Sequence, residues 1–287
     1  MGYVQLITDG TAFLPAERLR ELNIISLPII SQVESRQYMY DQKTFEHYAL
    51  LDAIRETRAP VEIVGPSADD FRAVFQRTLY RTNQMLVILS SGHLSPIVRN
   101  ARLAARDFMG RCDIHILDSQ TISVGLGLLV QRAGELLQRG DVGLADVVKQ
   151  VRGMIPRIYA VMITHTTDYL YRSGKLSAMQ AILGTMLNIH PFVVIEDGEI
   201  VPQEKSRSAE KAVDRLVEFA SEFLRVQTMT IFQSGPETRP TAEALTLRSQ
   251  LELFMPGREF PVITYDPILA ACLGPDALGL IVYEGGR

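Results

Sequence analysis

The chain has 287 residues, of which 47% are hydrophobic and 22% are charged, and its formal net charge is −4. This length is enough for two domains of ordinary size, and the acidic balance argues against a broad nucleic-acid-binding surface, which needs clustered Lys and Arg. The amino terminus lacks the charged and apolar regions of a secretory signal, and no apolar stretch reaches the ~18 residues that span a membrane. The sequence therefore predicts a soluble, cytoplasmic protein without stable membrane insertion.

Strand-like and helix-like patterns alternate in the first half of the chain. The predicted strands are Tyr3–Thr8, Met85–Leu89 and Asp113–Leu117. The second and third of these precede apolar residues at helical spacing, beginning near Ile97 and Leu128. This alternation is typical of a parallel sheet covered by helices.

The second half of the chain predicts a mixed sheet. An Asp197-Gly198 step between two short apolar runs is a strong signal for a β-hairpin. A hairpin joins antiparallel strands, so this sheet is not purely parallel. A helix is predicted over residues 208–225, with Ser206 or Ser208 as N-cap, and another near residues 241–253. The remaining predicted strands are Tyr159–Ile163, Thr228–Phe232, Glu259–Tyr265 and Leu278–Tyr283.

The change of pattern near Ile155-Pro156 predicts a domain boundary. The sequence thus predicts an α/β protein with an N-terminal domain over residues 1–155 and a C-terminal mixed α/β domain over residues 156–287. No low-complexity linker separates them, so we expect direct packing of the two domains with a ligand cleft between them.

Three turns rich in hydroxyl groups surround or follow the ends of the first-half strands: TDGTA (Thr8–Ala12), SSGHLS (Ser90–Ser95) and DSQTIS (Asp118–Ser123). Ligands of open parallel sheets bind beyond the carboxyl ends of the strands, where N–H groups at helix N-termini favour anions. Ser, Thr and Asp are also the usual helix N-caps. Two interpretations stay open, an anion site and a set of helix caps.

No catalytic or cofactor motif is complete in this sequence. The stretch GHLSP (Gly92–Pro96) has a proline where the hydrolase elbow G-x-S-x-G has its second glycine. The pair Gly125 and Gly127 lacks the third glycine of the dinucleotide fingerprint, because Val130 stands there. We predict a protein that is not an enzyme and carries no cofactor; the alternative is a hydrolase or acyl transferase that uses Ser91 or Ser95.

The cysteines and histidines show no metal-ligand spacing. Cys112 and Cys272 lie far apart and are predicted to be reduced thiols. The histidines are dispersed without carboxylate or cysteine partners at ligand spacing, so no metal site is predicted; they are His47, His93, His115, His165 and His190.

Two cationic stretches and one apolar stripe lie in the second half. Arg172–Lys175 and Lys205–Arg207 are consistent either with solvated surface or with an anion site. An apolar stripe at helical spacing is consistent with a lipid tunnel, although such a stripe more often packs in an ordinary core. The stripe comprises Met179, Ile182, Leu183, Met186 and Leu187.

An ordered series of stretches resembles the motifs of the DegV family of bacterial fatty-acid-binding proteins. In the first half, LITDGTAFLP is similar to T-D-S-T-x-x-L-P, LPII with YMYD to P-L-x-I with an aromatic–Asp step, SSGHLSPIVRNARLAA to S-S-x-L-S-G-T-Y-x-S-A, and ILDSQTISVGLGLL to D-S-x-x-x-S-x-G-x-G. In the second half, YLYRSGKLS is similar to Y-L-x-x-G-G-R-I, LNIHPFVVIEDGEIVPQEKSRS to L-x-I-K-P with a D-G hairpin and K-x-R, and LGPDALG to H-T-G-P-G-A-L-G.

The resemblance implies a two-domain protein that holds one long-chain fatty acid in an apolar tunnel, with the carboxylate in the interdomain cleft. It also implies a partner, a fatty-acid kinase that phosphorylates the bound carboxylate. The head-group residues it implies are Ser91, Gly92, His93, Ser95, Ser67, Lys175, Arg207 and Cys272. Further candidates for the cleft are Asp9, Thr11, Ser119, Ser123, Gly125, Ile63 and Val64.

Several of these positions depart from the family's motifs. Ile63 and Val64 stand in place of two hydroxyl residues of T-S-Q-P-S, Lys175 replaces an arginine, and Cys272 replaces a histidine. Asp276 stands where the family has a glycine. We therefore expect either a rearranged set of donors around a fatty acid or a related lipid with another head group. A regulatory protein that keeps the fold but binds no ligand is a further alternative.

Overall fold

The computed structural model describes residues 3–41, 46–57, 59–187, 189–206 and 208–285. Arg207, one of the predicted head-group residues, lies outside these ranges. The chain forms two compact units: the first comprises Met1–His47 with Glu62–Pro156, and the second comprises Tyr48–Val61 with Arg157–Arg287. None of the helices in the described ranges combines the length and apolar character needed to cross a bilayer.

The strands in chain order are β1 (Val4–Asp9), β2 (Ile24–Leu27), β3 (Ile29–Val33), β4 (Arg36–Tyr40), β5 (Val61–Gly65), β6 (Gln84–Leu89), β7 (Asp113–Asp118), β8 (Ile158–Thr164), β9 (His190–Glu196), β10 (Glu199–Ser206), β11 (Val226–Gln233), β12 (Val262–Thr264) and β13 (Ala277–Glu284). The α-helices are α1 (Ala16–Glu21), α2 (Glu46–Thr57), α3 (Ala68–Leu79), α4 (Ile97–Ala105), α5 (Val124–Arg139), α6 (Leu144–Met154), α7 (Asp168–Arg172), α8 (Ala178–Met186), α9 (Ala209–Ser221), α10 (Ala242–Phe254) and α11 (Pro267–Leu273).

The first unit contains the predicted parallel sheet. Its strand order is β2-β1-β6-β7, and every neighbouring pair is parallel. Residues 85–89 of β6 have no solvent exposure, which explains why this central strand is a continuous apolar run rather than an alternating one. The prediction of a parallel first sheet flanked by helices is confirmed.

A second, three-stranded sheet in the first unit was not predicted. Its order is β4-β3-β5, and β3 and β4 form an antiparallel pair. The turn that joins them has Glu34 at φ 54°, a left-handed conformation that glycine, asparagine and aspartate more commonly supply. Because the usual turn residues are missing, the sequence gives no clear signal for this hairpin.

The second unit contains the predicted mixed sheet, in the order β10-β9-β8-β13-β11-β12. Its strands are antiparallel neighbours except for the parallel pair β11 and β12. The β9–β10 hairpin turns at Asp197 (φ 49°) and Gly198 (φ 86°), which is the left-handed pair required by a type I′ turn. The helices α9 and α10 begin at the caps Ser208 and Thr241. The predicted mixed α/β class is therefore confirmed.

Residues 48–61 pack with the second unit, although the predicted division assigned them to the first domain. Leu50, Leu51 and Ile54 of α2 are buried. The Arg55 guanidinium donates to the Pro275 carbonyl oxygen at 3.0 Å and to the Asp276 carboxylate at 3.1 Å. These contacts join residues that are distant in sequence, and changes of pattern along the chain do not reveal such contacts. The domain boundary near Ile155-Pro156 stays a prediction.

The expectation that the apolar stripe of α8 is ordinary core is wrong. The side chains of the stripe are exposed, at fractions from 50% to 76%. The buried face of α8 is instead formed by the small residues Ala181 and Gly184. Gly184 lies so close to the Thr167 side chain that a β-carbon would collide with it. Helical spacing identified the apolar face but could not identify which face packs.

We predict that Gly279→Ala destabilises the protein. Gly279 lies in β13, and a β-carbon there would collide with the Val161 carbonyl oxygen and the Phe232 ring. Overpacking of this kind costs about 1–3 kcal/mol, which urea unfolding can measure. Gly153→Ala is the control, because a β-carbon on this residue of α6 meets nothing within 4 Å. The control should be neutral or slightly stabilising; equal losses in both variants would contradict the prediction.

Candidate functional site

The three hydroxyl-rich turns lie together at the carboxyl-end edge of the parallel sheet. The register pairs Ile7 with Val87 and Leu89 with Asp118, so β1, β6 and β7 end at the same edge. Hydrogen bonds join the turns directly: the Ser90 N–H donates to the Asp9 carboxylate at 2.7 Å, and the Ser91 N–H donates to the Thr121 carbonyl oxygen at 2.9 Å. The sequence predicted the three turns individually, and the parallel register brings them together.

Asp9 is the most buried acid of this region and acts as a structural acceptor. Its Oδ1 accepts hydrogen bonds from the Thr11 N–H at 3.0 Å and the Thr11 hydroxyl at 2.6 Å, while Oδ2 accepts the bond from Ser90. Burial raises the pKa of Asp9, and these hydrogen bonds oppose the rise. The polar groups of Asp9 and Thr11 are thus already engaged with each other and with the Ser90 turn.

The N–H groups of the Ser90–Leu94 turn are used within the protein. The Gly92 N–H points to the Asp118 carboxylate, at 3.2 and 3.3 Å from its two oxygens. The His93 N–H donates to the Ser91 hydroxyl oxygen at 3.2 Å, and the side chain of His93 is exposed. An anion can therefore use the Gly92 N–H only by displacing the Asp118 carboxylate.

Four hydroxyl groups of these turns are buried without a hydrogen-bond partner among the described residues: those of Thr8, Ser90, Ser95 and Thr121. A buried hydroxyl left unpaired costs about 1–3 kcal/mol. Ser95 comes just before Pro96, the N-cap of α4, and no side chain caps this helix. The uncapped first turn of α4 and the Ser95 hydroxyl are therefore the part of the edge best suited to a polar ligand atom.

The predicted residues that follow β5 play a different part. Ser67 caps α3: its hydroxyl oxygen accepts from the Asp70 N–H at 3.2 Å and donates to the Asp70 carboxylate at 2.7 Å. Ile63 is buried and Val64 is half-buried. Both side chains are aliphatic, so neither brings a polar group. The Pro66 carbonyl oxygen accepts from the Asn100 amide at 2.9 Å, which ties this loop to α4. Ser67 is therefore the N-cap of α3.

The turn after β7 combines internal hydrogen bonds with a strained residue. The Ser119 hydroxyl donates to the Thr121 carbonyl oxygen at 3.1 Å, and the Gly125 N–H donates to Ile122. Ser123 is buried and precedes α5 with φ 55° and ψ −129°, a region that L-residues rarely adopt. A β-carbon on Gly127 would lie 2.9 Å from the Phe13 carbonyl oxygen, so glycine allows α5 to approach that backbone.

In the second unit, two predicted residues are neighbours. Cys272 is buried in α11, and burial raises the pKa of its thiol to about 11, while the positive charge of Lys175 acts in the opposite direction. The Ser173 hydroxyl donates to the Cys272 carbonyl oxygen at 3.4 Å. Asp276, whose charge could oppose an anionic ligand, is paired with Arg55 at 3.1 Å. The charge of Lys175 therefore acts on a thiol that burial keeps neutral.

A cluster that the sequence did not predict joins His165, His190 and Glu243. The His165 Nε2 atom lies 3.0 Å from the Glu243 carboxylate, and the His165 Nδ1 atom lies 3.2 Å from the Nδ1 atom of His190. The two histidines follow β8 and begin β9, which are antiparallel neighbours, and this pairing was the signal that could have linked them. Within the described ranges, no group of three acidic, histidine or cysteine side chains is arranged to hold a metal ion.

A cavity of about 640 Å³ lies at the opposite, amino-terminal edge of the parallel sheet. Its lining includes Val4 of β1, Gln84 of β6, and Gly134 and Leu137 of α5. Because β1 and β6 run between the two edges, this cavity is separated from the hydroxyl-rich turns by the length of the strands. It is therefore a different place from the predicted head-group site.

We predict that Ser123→Gly gives a more stable protein than Ser123→Ala. Both variants lose the hydroxyl group, but only glycine relieves the strained backbone, so the difference between them should be about 1 kcal/mol. Urea or thermal unfolding measures this difference. Equal stability of the two variants would show that the conformation at residue 123 is not strained.

Comparison with known proteins gives consistent matches over the whole chain. The model of the DegV family, described as an uncharacterised protein family, matches residues 3–285. A DegV domain-containing protein of Caldanaerobacter subterraneus is 29% identical over 295 residues, covering 99% of this chain and 100% of the relative. Protein DegV of Bacillus subtilis is 24% identical, covering 96% of this chain and 98% of the relative.

Solved structures agree in fold. A DegV family protein from Thermus thermophilus, described by its fatty acid binding, has 26% identity and a TM-score of 0.82, with coverage of 99% of this chain and 100% of that one. A fatty acid binding DegV family protein from Streptococcus agalactiae has 21% identity and a TM-score of 0.85 over the full length of both chains, a likeness in fold. With the family model matching nearly every residue, the chain belongs to the DegV family.

Proposed function

We propose that this protein binds a long-chain fatty acid, or a related lipid, without changing it chemically. The observation that carries the proposal is full-length similarity to a structure described as a fatty-acid-binding DegV family protein, at 26% identity and a TM-score of 0.82. Binding without catalysis is also consistent with the sequence, in which each hydrolase or dinucleotide motif is incomplete.

In the proposed complex the head group contacts the Ser95 hydroxyl and the first turn of α4. Three observations support this choice. The Ser95 hydroxyl is buried without a partner in the described structure, the first turn of α4 has no side-chain cap, and the N–H groups of Ser90 and Gly92 are already bound to carboxylates. A ligand oxygen at Ser95 would supply the missing hydrogen bond without displacing an existing one.

The head group need not be a free carboxylate. Ile63, Val64 and Cys272 bring no hydroxyl or imidazole to the positions where the family motifs have them, and each lost hydrogen bond to a charged group is worth about 1.5–3 kcal/mol. Lys175, whose charge acts on Cys272, is a candidate for compensating a carboxylate. The proposal therefore covers fatty acids and related lipids, with fatty acids as the first to test.

We further propose that a fatty-acid kinase acts on the lipid while it is bound. In that reaction a carboxylate oxygen attacks the γ-phosphorus of ATP, ADP leaves, and an acyl phosphate forms. The binding protein contributes by holding the carboxylate, so it requires no catalytic group of its own. Incubation with oleate and ATP should yield acyl phosphate only when a fatty-acid kinase is added; formation by this protein alone would contradict the carrier role.

We predict that Ser95→Ala weakens oleate binding about 10- to 100-fold, because a hydrogen bond to a charged group contributes about 1.5–3 kcal/mol. Calorimetry with delipidated protein measures the change, and native mass spectrometry of protein purified without delipidation tests for a bound acyl chain. Thr78→Val is a matched control: its hydroxyl is also buried and unpartnered within the described residues, but it lies in α3 away from the turns. This control should keep the affinity of the unmodified protein.

Three outcomes would contradict the proposal or its placement at the α4 turn. Protein purified without an acyl ligand that also fails to bind oleate would favour the ligand-free regulatory alternative. Covalent labelling by a reactive-serine probe that disappears in Ser91→Ala or Ser95→Ala would favour the hydrolase or acyl transferase. Loss of affinity in Thr78→Val equal to that in Ser95→Ala would show that the effect is not local to the α4 turn.

A further inference from the structure

The His165–His190 contact closes the two ends of one segment of the second unit. His165 follows β8 directly, and His190 is the first residue of β9. Between them the chain runs through α7, the turn that carries Lys175, and α8 with its exposed apolar face. The regular pairing of the two strands extends only to Ile163 and Phe192. The contact between His165 and His190 therefore joins β8 and β9 beyond their last paired residues.

The hydrogen-bonding roles in this cluster are restricted by Glu243. Its carboxylate accepts, so the facing His165 Nε2 atom must carry a proton. When both rings are neutral, the His165 Nδ1 atom is then an acceptor and the His190 Nδ1–H must donate to it across 3.2 Å. One additional proton is tolerated, because a charged His165 can donate from Nδ1 to a neutral His190. A second additional proton places N–H groups on both facing atoms and removes the hydrogen bond.

Among the described residues, the other contacts that hold α8 to the second unit are small in number. Its buried residues are Ala181 and Gly184, which bury little apolar surface. The Thr167 hydroxyl donates to the Ala181 carbonyl oxygen at 3.0 Å, and the Ile189 N–H donates to Gly184 at 2.9 Å. An element with a small buried face and a few hydrogen bonds is expected to open locally at low free-energy cost. The closure of its ends therefore contributes a sizeable share of its stability.

We propose that the His165–His190–Glu243 cluster is a proton-sensitive clasp that holds α8 in place with zero or one additional proton and releases it with two, while α7 stays anchored by the buried Tyr169 and Leu170. This inference concerns the second unit alone and is independent of the ligand. Among the residues whose side chains the structure describes, the charged groups that act on the pair are Glu243, at the start of α10, and Asp276, before β13. Asp276 is itself paired with Arg55 of α2, which leaves Glu243 as the principal anion facing the pair.

The electrostatics define the pH range of the clasp. The hydrogen bond to Glu243 raises the pKa of His165, whereas burial and the neighbouring His165 lower the pKa of His190. The stabilisation from His165 is complete below its unfolded pKa and declines as the pH rises through its raised pKa. The stabilisation from His190 is present above its unfolded pKa and is lost as the pH falls through its lowered pKa. The clasp is thus strongest between the lowered pKa of His190 and the raised pKa of His165. It opens on the acid side, below the ordinary histidine pKa of ~6.5.

Hydrogen exchange of the full-length protein, corrected for the intrinsic pH dependence of exchange, tests the clasp. We expect protection of residues 178–187 to be greatest at intermediate pH and to be lost in acid before the rest of the second unit opens. In His190→Gln, which keeps a hydrogen-bonding side chain but takes up no proton, this acid step should disappear. His115→Gln is the matched control: His115 pairs with Asp113 at 3.0 Å in β7 of the first unit, and its loss should leave the step unchanged.

NMR titration of the histidine rings in the unmodified protein is a second test that does not depend on a variant folding. We expect the pKa of the His165 ring to lie above the ordinary histidine value and that of the His190 ring to lie below it. In His165→Gln the pKa of His190 should rise. Two rings with ordinary, independent titrations would overturn the proposal, as would an acid step that persists in His190→Gln. Loss of the step in His115→Gln would also overturn it, since the effect would then not come from the clasp.

Discussion

The candidate site depends on one buried carboxylate, that of Asp9. It connects the end of β1 to the start of the turn after β6, through the Ser90 N–H, and it orders its own turn through Thr11. Burying a charge is unfavourable unless hydrogen bonds compensate it, and here three donors converge on the two oxygens. The carboxyl-end edge of the first sheet is thus a preformed polar structure whose main-chain donors are fixed before any ligand binds.

That arrangement changes how the site can recognise a head group. Asp9 and Asp118 occupy N–H groups that an anion would otherwise use, and the Ser67 hydroxyl belongs to the cap of α3. What the first unit offers is a small set of buried hydroxyls beside an uncapped helix, a lining suited to one or two directional hydrogen bonds rather than to a full shell of donors. Lys175, the predicted cation that the structure describes, belongs to the second unit, where its charge acts on Cys272.

The sequence was most informative where local chemistry determines local structure. The buried run of β6, the Asp197-Gly198 turn, and the caps Ser208 and Thr241 each follow from a few adjacent residues. The motif series, which depends on sequence alone, was sufficient to indicate the family. The partners of the predicted hydroxyls were not predictable, because Asp118 reaches Gly92 and Asp9 reaches Ser90 only once the strand register is known. The same limit applies to the histidine cluster, whose members are 25 and 78 residues apart, and to α8, where spacing defined an apolar face that packing left exposed.

The position of α2 has a consequence for synthesis of the chain on the ribosome. Its Arg55 contacts a loop that lies 220 residues later in the sequence, and its buried side chains Leu50, Leu51 and Ile54 belong to the same unit. At about 5–20 residues per second, the helix waits roughly 10 to 40 s for those partners to be made. During that interval the strands of the first unit can pair, while the apolar side chains of α2 still lack their native partners. We therefore expect the apolar face of α2 to stay exposed to solvent through most of translation, until the second unit has been made.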